Sequence, residues 1–239
     1  MIARTAQPVS RRDRPAKAPL SREAIIGAAV GLLRTEGLER LTMRRLAASL
    51  DTGAGSLYVY FRNVEHLFAA LLDELLGEVD LSPGDREEPW DDRLAAVLGS
   101  YTGVLFDNPS IARMSIFTRP SGPHYLRLIE TLLALLDEGG VETGAAAWGI
   151  DLLLQYATAS AAEHGTRQEL DTVDADSDLA RAIEEVSAEA YPIISARKEV
   201  IVAGEGAERF RWGVDVLLAG IGAAANAAVP RAYEPDGPT

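Results

Sequence analysis

The chain contains no cysteine. That removes a disulfide framework, a thiolate metal site and a cysteine nucleophile, and it fits a reducing compartment. Histidine is nearly as scarce: His66, His124 and His164 are scattered, with no H-E-x-x-H or other metal-ligand spacing. No apolar signal-peptide core opens the chain. Its longest apolar stretch, residues 214–229, holds Asp215 and Asn226 and is too short for an ordinary membrane span. There is no internal repeat, strand pattern, nucleophile elbow or P-loop. Gly220, Gly222 and Ala225 match the letters of a dinucleotide fingerprint, but no strand precedes them and only fourteen residues follow. Helix packing explains them better. The pair Glu184 and Glu185 reads as a solvated helix face. These absences point away from an enzyme and imply no cofactor.

What is present is apolar and unevenly charged. Hydrophobic residues make up 47% of 239 positions, enough for a substantial core and one large or two modest domains. The net charge of -13 hides a split. Residues 1–68 hold 11 Lys or Arg against 6 Asp or Glu, whereas residues 69–239 hold 12 against 30. A basic end attracts phosphate and an acidic remainder keeps off it, so the chain reads as a head and a body with different partners.

The densest pattern lies at residues 42–61. Met43, Leu46, Ala47 and Leu50 recur at helical spacing, Asp51, Thr52 and Gly53 break the helix, and Leu57 and Phe61 restart it one turn apart. Asp tolerates a left-handed turn and Gly allows almost any conformation. Gly55, Ser56, Val59 and Tyr60 are left facing outward. A helix, a tight turn and a second helix make a helix-turn-helix, whose second helix enters the DNA major groove.

At these residues the chain resembles the TetR family of bacterial repressors. The family's run is present as Thr42, Leu46-Ala47, the turn at residues 51–53, Leu57-Tyr58, Tyr60 and Phe61, continuing to Asn63 and Leu67. The match covers roughly residues 21–76. Two departures stand out: Asp51 and Gly53 occupy places where the family often has Gly and then Ser or Thr, and Val64 stands where it often has a Lys near a phosphate. The resemblance implies an all-α protein with a DNA-binding head and a C-terminal domain for ligand binding and dimerisation. It also implies that the last two helices, at about residues 178–229, join those of a second copy in a four-helix bundle, because a two-fold operator needs two equivalent heads.

We therefore expect a flexible basic arm at 1–20, a DNA-binding unit at 21–68, a helical body at 69–229 and a tail at 230–239. Arg4, Arg11, Arg12, Arg14 and Lys17 give the arm its charge; it enters a groove, follows phosphates or simply raises the on-rate. Ser21 caps the first helix, and Ile25, Ala29, Leu32 and Leu33 form its buried stripe up to Gly37. A fourth helix at 65–78 ties head to body, and residues 81–89 form an acidic, turn-rich connector. Leu94, Leu98, Tyr101 and Leu105 mark the next helix, residues 111–118 a short element, 126–138 an apolar helix and 143–164 a long one. Residues 165–177 read as an exposed loop. Two closing helices follow at 178–202, kinked at Pro192, and 208–229, where Gly213, Ala219, Gly220, Gly222 and Ala223 allow a close neighbour.

For DNA we select Thr42, Arg44, Ala54, Gly55, Ser56, Tyr58, Tyr60 and Asn63. Arg44 suits a bidentate grip on guanine or a phosphate clamp. Thr42 caps a helix start that can hold phosphate, and Tyr58 combines a packed ring with a hydroxyl near phosphate. For the ligand the candidates are Tyr101, Phe106, Arg113, Phe117, Trp148, Asp151 and Tyr156, with His124 and Tyr125 beside them, since pockets are mostly apolar with a few placed polar groups. No metal site is expected. The resulting expectation is a cytoplasmic bacterial regulator without a membrane partner: a repressor that a small molecule lifts from a palindromic double-stranded operator. The alternatives are an activator, a corepressor-dependent regulator or a DNA-binding protein with no effector.

Overall fold

A computed structural model of the chain describes residues 19–169 and 173–224, and every regular element among them is helical. The tail and nearly all of the arm fall outside the described residues. Helix α1 (Arg22–Glu36) begins where the Ser21 hydroxyl accepts from the Ala24 N–H at 3.1 Å, and ends at Gly37 with φ 82°. A left-handed φ costs glycine little. In α2 (Met43–Ser49) the Thr42 hydroxyl caps the first turn. Its other end closes through two bonds, from the Asp51 N–H to the Ala48 carbonyl and from the Thr52 N–H to that of Ala47, with Asp51 at φ 49°. Asp51 thus takes the left-handed position. Gly53, at φ -83°, caps α3 (Ala54–Leu57) without a side chain.

Next comes α4 (Val64–Leu76), which begins where the Asn63 side chain accepts from the His66 N–H at 2.9 Å. Leu67, Leu71 and Leu75 turn inward with Leu72 and Leu76, so α4 packs on α1 in the head and on α7 in the body. Because both halves share one buried cluster, α4 joins them rigidly instead of acting as a loose linker.

The body continues with α5 (Trp90–Phe106), α6 (Pro109–Ser115), α7 (Pro123–Glu138) and α8 (Thr143–Glu169). After residues 170–172 come α9 (Val173–Glu184), α10 (Pro192–Ser195), α11 (Lys198–Val202) and α12 (Gly206–Ala223). With 27 residues α8 is about 40 Å long at 1.5 Å per residue. It serves as the axis of the body: α5, α6, α7 and α12 all pack on it. Helix α12 runs antiparallel to α8. A Cβ on Gly149 would meet Ile221 at 2.8 Å, and one on Gly213 would meet the Tyr156 hydroxyl at 2.1 Å. Gly213 therefore serves a contact within the chain, whereas Gly220 and Gly222 face open space.

Three expectations from the sequence change. Residues 165–177 are not a plain loop, because α8 runs on to Glu169 and α9 starts at Val173. A polar, acidic run lacking proline does not stop a helix. The expected helix at 178–202 is broken into α9, α10 and α11. Proline lacks the N–H that a helix interior requires, so Pro192 opens a new helix at its first position and does not kink an old one. It follows that α12 pairs with α8, and no long helix at 178–202 exists to form half of a bundle. The same rule places Pro123 at the start of α7, three residues ahead of the expected beginning.

Candidate nucleic-acid interface and ligand cavity

The outer side of α2 and α3 presents a small polar surface. The Thr42 hydroxyl accepts from the Arg45 N–H at 3.1 Å, which orients the exposed start of α2. Arg44 and Arg45 are sequence neighbours with different employment. Arg45 grips Glu36 with both its Nε and one terminal nitrogen, and this hydrogen bond raises its pKa, whereas Arg44 extends into solvent. Gly55 and Ser56 are exposed, Ala54 is half-buried, and a Cβ on Gly55 would touch nothing within 4 Å. That leaves the α3 backbone open to close approach.

The two tyrosines exchange roles relative to expectation. Tyr58 is 52% exposed, so its ring lies on the surface and not in the head's core. Tyr60 is half-buried, and its hydroxyl donates to the Leu20 carbonyl. Tyr60 therefore does not simply face outward: it pins the root of the basic arm beside α3. Arg22 stacks over the ring of the buried Phe61 at 4.8 Å and reinforces that end of the head. Asn63 is exposed but engaged as the cap of α4, and Val64 is the first residue of that helix.

Behind the head, α4, α5, α7, α8, the end of α6 and the segment after it line a cavity of about 440 Å³. That is in the range of small-molecule sites. Leu72 of α4 and Leu154 of α8 supply apolar wall. At the floor the Tyr101 and Thr158 hydroxyls share a 2.7 Å hydrogen bond, and burial pushes the Tyr101 phenol up to about 12. At the mouth Arg119 and Asp151 pair at 2.6 Å, and Gln155 donates to Asp151. Tyr125 lines the wall, with its phenol also raised by burial.

Of the ligand candidates, Tyr101, Tyr125 and Asp151 meet in this cavity. Phe106, Arg113, Phe117, Trp148 and Tyr156 do not line it. Phe117 is 90% and Trp148 56% exposed, and Tyr156 points toward α12, where its ring stacks on Phe210 at 5.5 Å. An aromatic residue carries no mark of the side of a helix on which its cavity lies. Arg119, Gln155 and Thr158 also line it and are not among the candidates. A signal existed for two of them: Asp151, Gln155 and Thr158 form a polar line at i, i+4 and i+7 in an Ala- and Leu-rich helix. Arg119 was concealed in a segment that reads as a helix breaker.

Among the described residues no group of three or more His, Asp or Glu is placed to hold a metal, and no helix is long and apolar enough to cross a membrane.

Comparison with known proteins agrees with this geometry. The family model "Bacterial regulatory proteins, tetR family" matches residues 25–71, and "Tetracyclin repressor-like, C-terminal domain" matches residues 82–225. A Streptomyces protein described as a transcription regulator, SCO7704, is 46% identical; its crystal structure covers 92% of this chain and all of its own at a TM-score of 0.73. ActR from Streptomyces coelicolor, solved in complex with actinorhodin, is 30% identical over 87% of this chain and 100% of its own, with a TM-score of 0.76. The tetracycline repressor protein class C of Escherichia coli is 29% identical, across 84% of this chain and 90% of its own. The chain belongs to the TetR family and is a ligand-responsive, DNA-binding transcriptional regulator.

Proposed function

We propose that this protein is a homodimeric cytoplasmic repressor that leaves a palindromic operator when a small molecule fills the α4–α8 cavity. One observation carries the reading: α4 belongs to both sites. Leu71 and Leu75 lie in the shared core while the adjacent Leu72 lines the cavity, so a ligand pressing on that wall acts on the helix that carries the head. A ligand that binds the conformation with unsuitable head spacing shifts the population by its differential affinity for the two states. ActR, solved in complex with actinorhodin, supports a ligand site in the same fold.

The second copy joins through α8 and α12. Trp148 and Leu152 stand one turn apart on α8, as do Trp212 and Val216 on α12, and all four are about half exposed or more. An apolar patch of this kind on a soluble surface marks a contact, and Gly220 and Gly222 leave room for a close one. Selection of bound sequences from a random duplex pool tests the whole reading. A palindrome with half-sites about one helical turn apart is expected; recovery of no motif at all refutes it.

Within that complex Arg44 reads a base or clamps a phosphate. Arg44→Ala is expected to weaken operator binding by about 1–3 kcal/mol per head, with the melting temperature unchanged. Arg45→Ala, whose side chain is committed to Glu36, is the control and should weaken binding less. Equal gel-shift affinity for wild type and Arg44→Ala removes the assignment.

The arm supplies most of the head's positive balance. Residues 1–18 hold five Lys or Arg and one acidic residue, +4 of the +5 carried by residues 1–68. Their deletion is expected to flatten the plot of log affinity against log salt by about three to four units per arm, and so by up to about twice that for a dimer bound through both heads, since Tyr60 anchors the arm's root beside α3. An unchanged slope would mean that the arm makes no phosphate contact.

A further inference from the structure

The cavity's polar groups form an ordered line. Asp151, Gln155 and Thr158 follow one face of α8 with Leu154 between them, and seven residues at 1.5 Å each separate Asp151 from Thr158 by about 10 Å. One end of that line is open and the other closed. The side chains of Asp151 and Arg119 are 43% and 69% exposed, whereas Thr158 and Tyr101 are 8% and 4% exposed.

Charge is cancelled before any ligand arrives. Arg119 and Asp151 are the only residues in the lining with formally charged side chains, and they pair with each other at 2.6 Å. Nothing charged lies at the floor to meet a ligand's charge, and an unpaired ion there is far costlier than a neutral hydrogen-bonding group. The floor nevertheless offers a hydrogen. Tyr101 and Thr158 have two hydroxyl hydrogens and spend one on their mutual bond, so one remains for an incoming acceptor. Ser115 gives its own to the Ala112 carbonyl. The rest of the lining is mostly apolar, with Leu72, Ile116, Pro120, Leu154 and the Tyr125 ring beside the Thr118 hydroxyl.

Building on the effector-sensing reading above, we propose that the cavity takes an uncharged, elongated molecule with a flat apolar middle and hydrogen-bonding oxygens at both ends, about 10 Å apart. The leading oxygen accepts from the Tyr101–Thr158 pair. The trailing one meets Arg119, Asp151 and Gln155, which together donate and accept. A charged molecule of the same shape has to open the Arg119–Asp151 pair to be matched.

A series on one scaffold tests this by calorimetry with the full chain: biphenyl, 4-phenylphenol, 4,4′-dihydroxybiphenyl, biphenyl-4,4′-dicarboxylate and 4,4′-bis(aminomethyl)biphenyl. The dihydroxy compound is expected to bind at least tenfold tighter than every other member. Tyr101→Phe and Thr158→Val should each cut its affinity about tenfold while leaving biphenyl itself unchanged. Tightest binding by the dicarboxylate or the diamine overturns the neutral class but leaves the cavity as the effector site. A ranking without preference for two polar ends, or no binding by any member, overturns the proposed ligand. Ala159→Trp, at an exposed lining position, separates the two readings. Undiminished binding of the best compound to that variant places it outside the cavity and removes the effector-sensing reading itself.

Discussion

Replacing Phe61 with alanine is expected to cost about 3–5 kcal/mol and to abolish operator binding. Phe61 is fully buried and, among the described residues, the bulkiest side chain buried to that degree. Its ring is covered by the Arg22 guanidinium at 4.8 Å and edged by His66 at 6.1 Å. It follows directly on Tyr58, Val59 and Tyr60, so the hole left by its removal lies under the reading surface. The head is small, and a loss of this size approaches the whole stability of a domain of its length. Denaturant unfolding followed together with a gel shift checks the expectation. A variant that loses under 1 kcal/mol and keeps its operator affinity would show that the head does not depend on this ring.

The second large effect is expected at Gly122, where alanine should cost about 2–4 kcal/mol and lower the melting temperature by about 5–15 °C. The backbone is not the obstacle, since φ -88° and ψ 179° suit any residue. The obstacle is Asp73. An added Cβ would lie 2.0 Å from one oxygen of its carboxyl group and 2.3 Å from the carbon. Asp73 sits on α4 yet caps α7: its Oδ1 accepts from the Tyr125 N–H at 2.9 Å, where Gly122 has no side chain and Pro123 has no N–H. Asp73 is buried, with 7% of its surface exposed, so displacing its carboxyl leaves both it and the Tyr125 N–H without their partner. Asp73→Ala should cost a similar amount by removing the same bond. The double variant should be little worse than either single one, because both break one contact. Full additivity in the melts would refute the cap.

That cap also shows where the sequence stops being readable. Helix periods and end caps are local, so the caps Ser21 and Thr42 and the inward line of Leu46, Ala47, Leu57, Leu67 and Leu71 follow from spacing alone. Asp73 is acidic in an amphipathic helix and reads as a solvent-facing charge; its partner is 52 residues away. Tyr60 reads as outward by its period, but its hydroxyl finds the Leu20 carbonyl 40 residues back. The cavity is harder still, since four helices and a loop must meet before Arg119 and Thr158 share a wall. Residues 178–202 failed for a different reason: the helical period persists across Pro192, and the backbone does not.

The placement of the tryptophans has a practical result. There are three in the chain, and none of them lines the cavity. Trp148 and Trp212 stand on the outer sides of α8 and α12, and Trp90 lies against Gly139 at the far end of α7. Indole emission shifts to the blue as water leaves its surroundings, so on the α8–α12 interface proposed above its colour would follow the coming together of two copies. The aromatic residues of the cavity are the tyrosines Tyr101 and Tyr125, whose ultraviolet absorbance would answer to occupancy. On that proposed arrangement the molecule would carry two optical signals without any label, one for assembly and one for cargo.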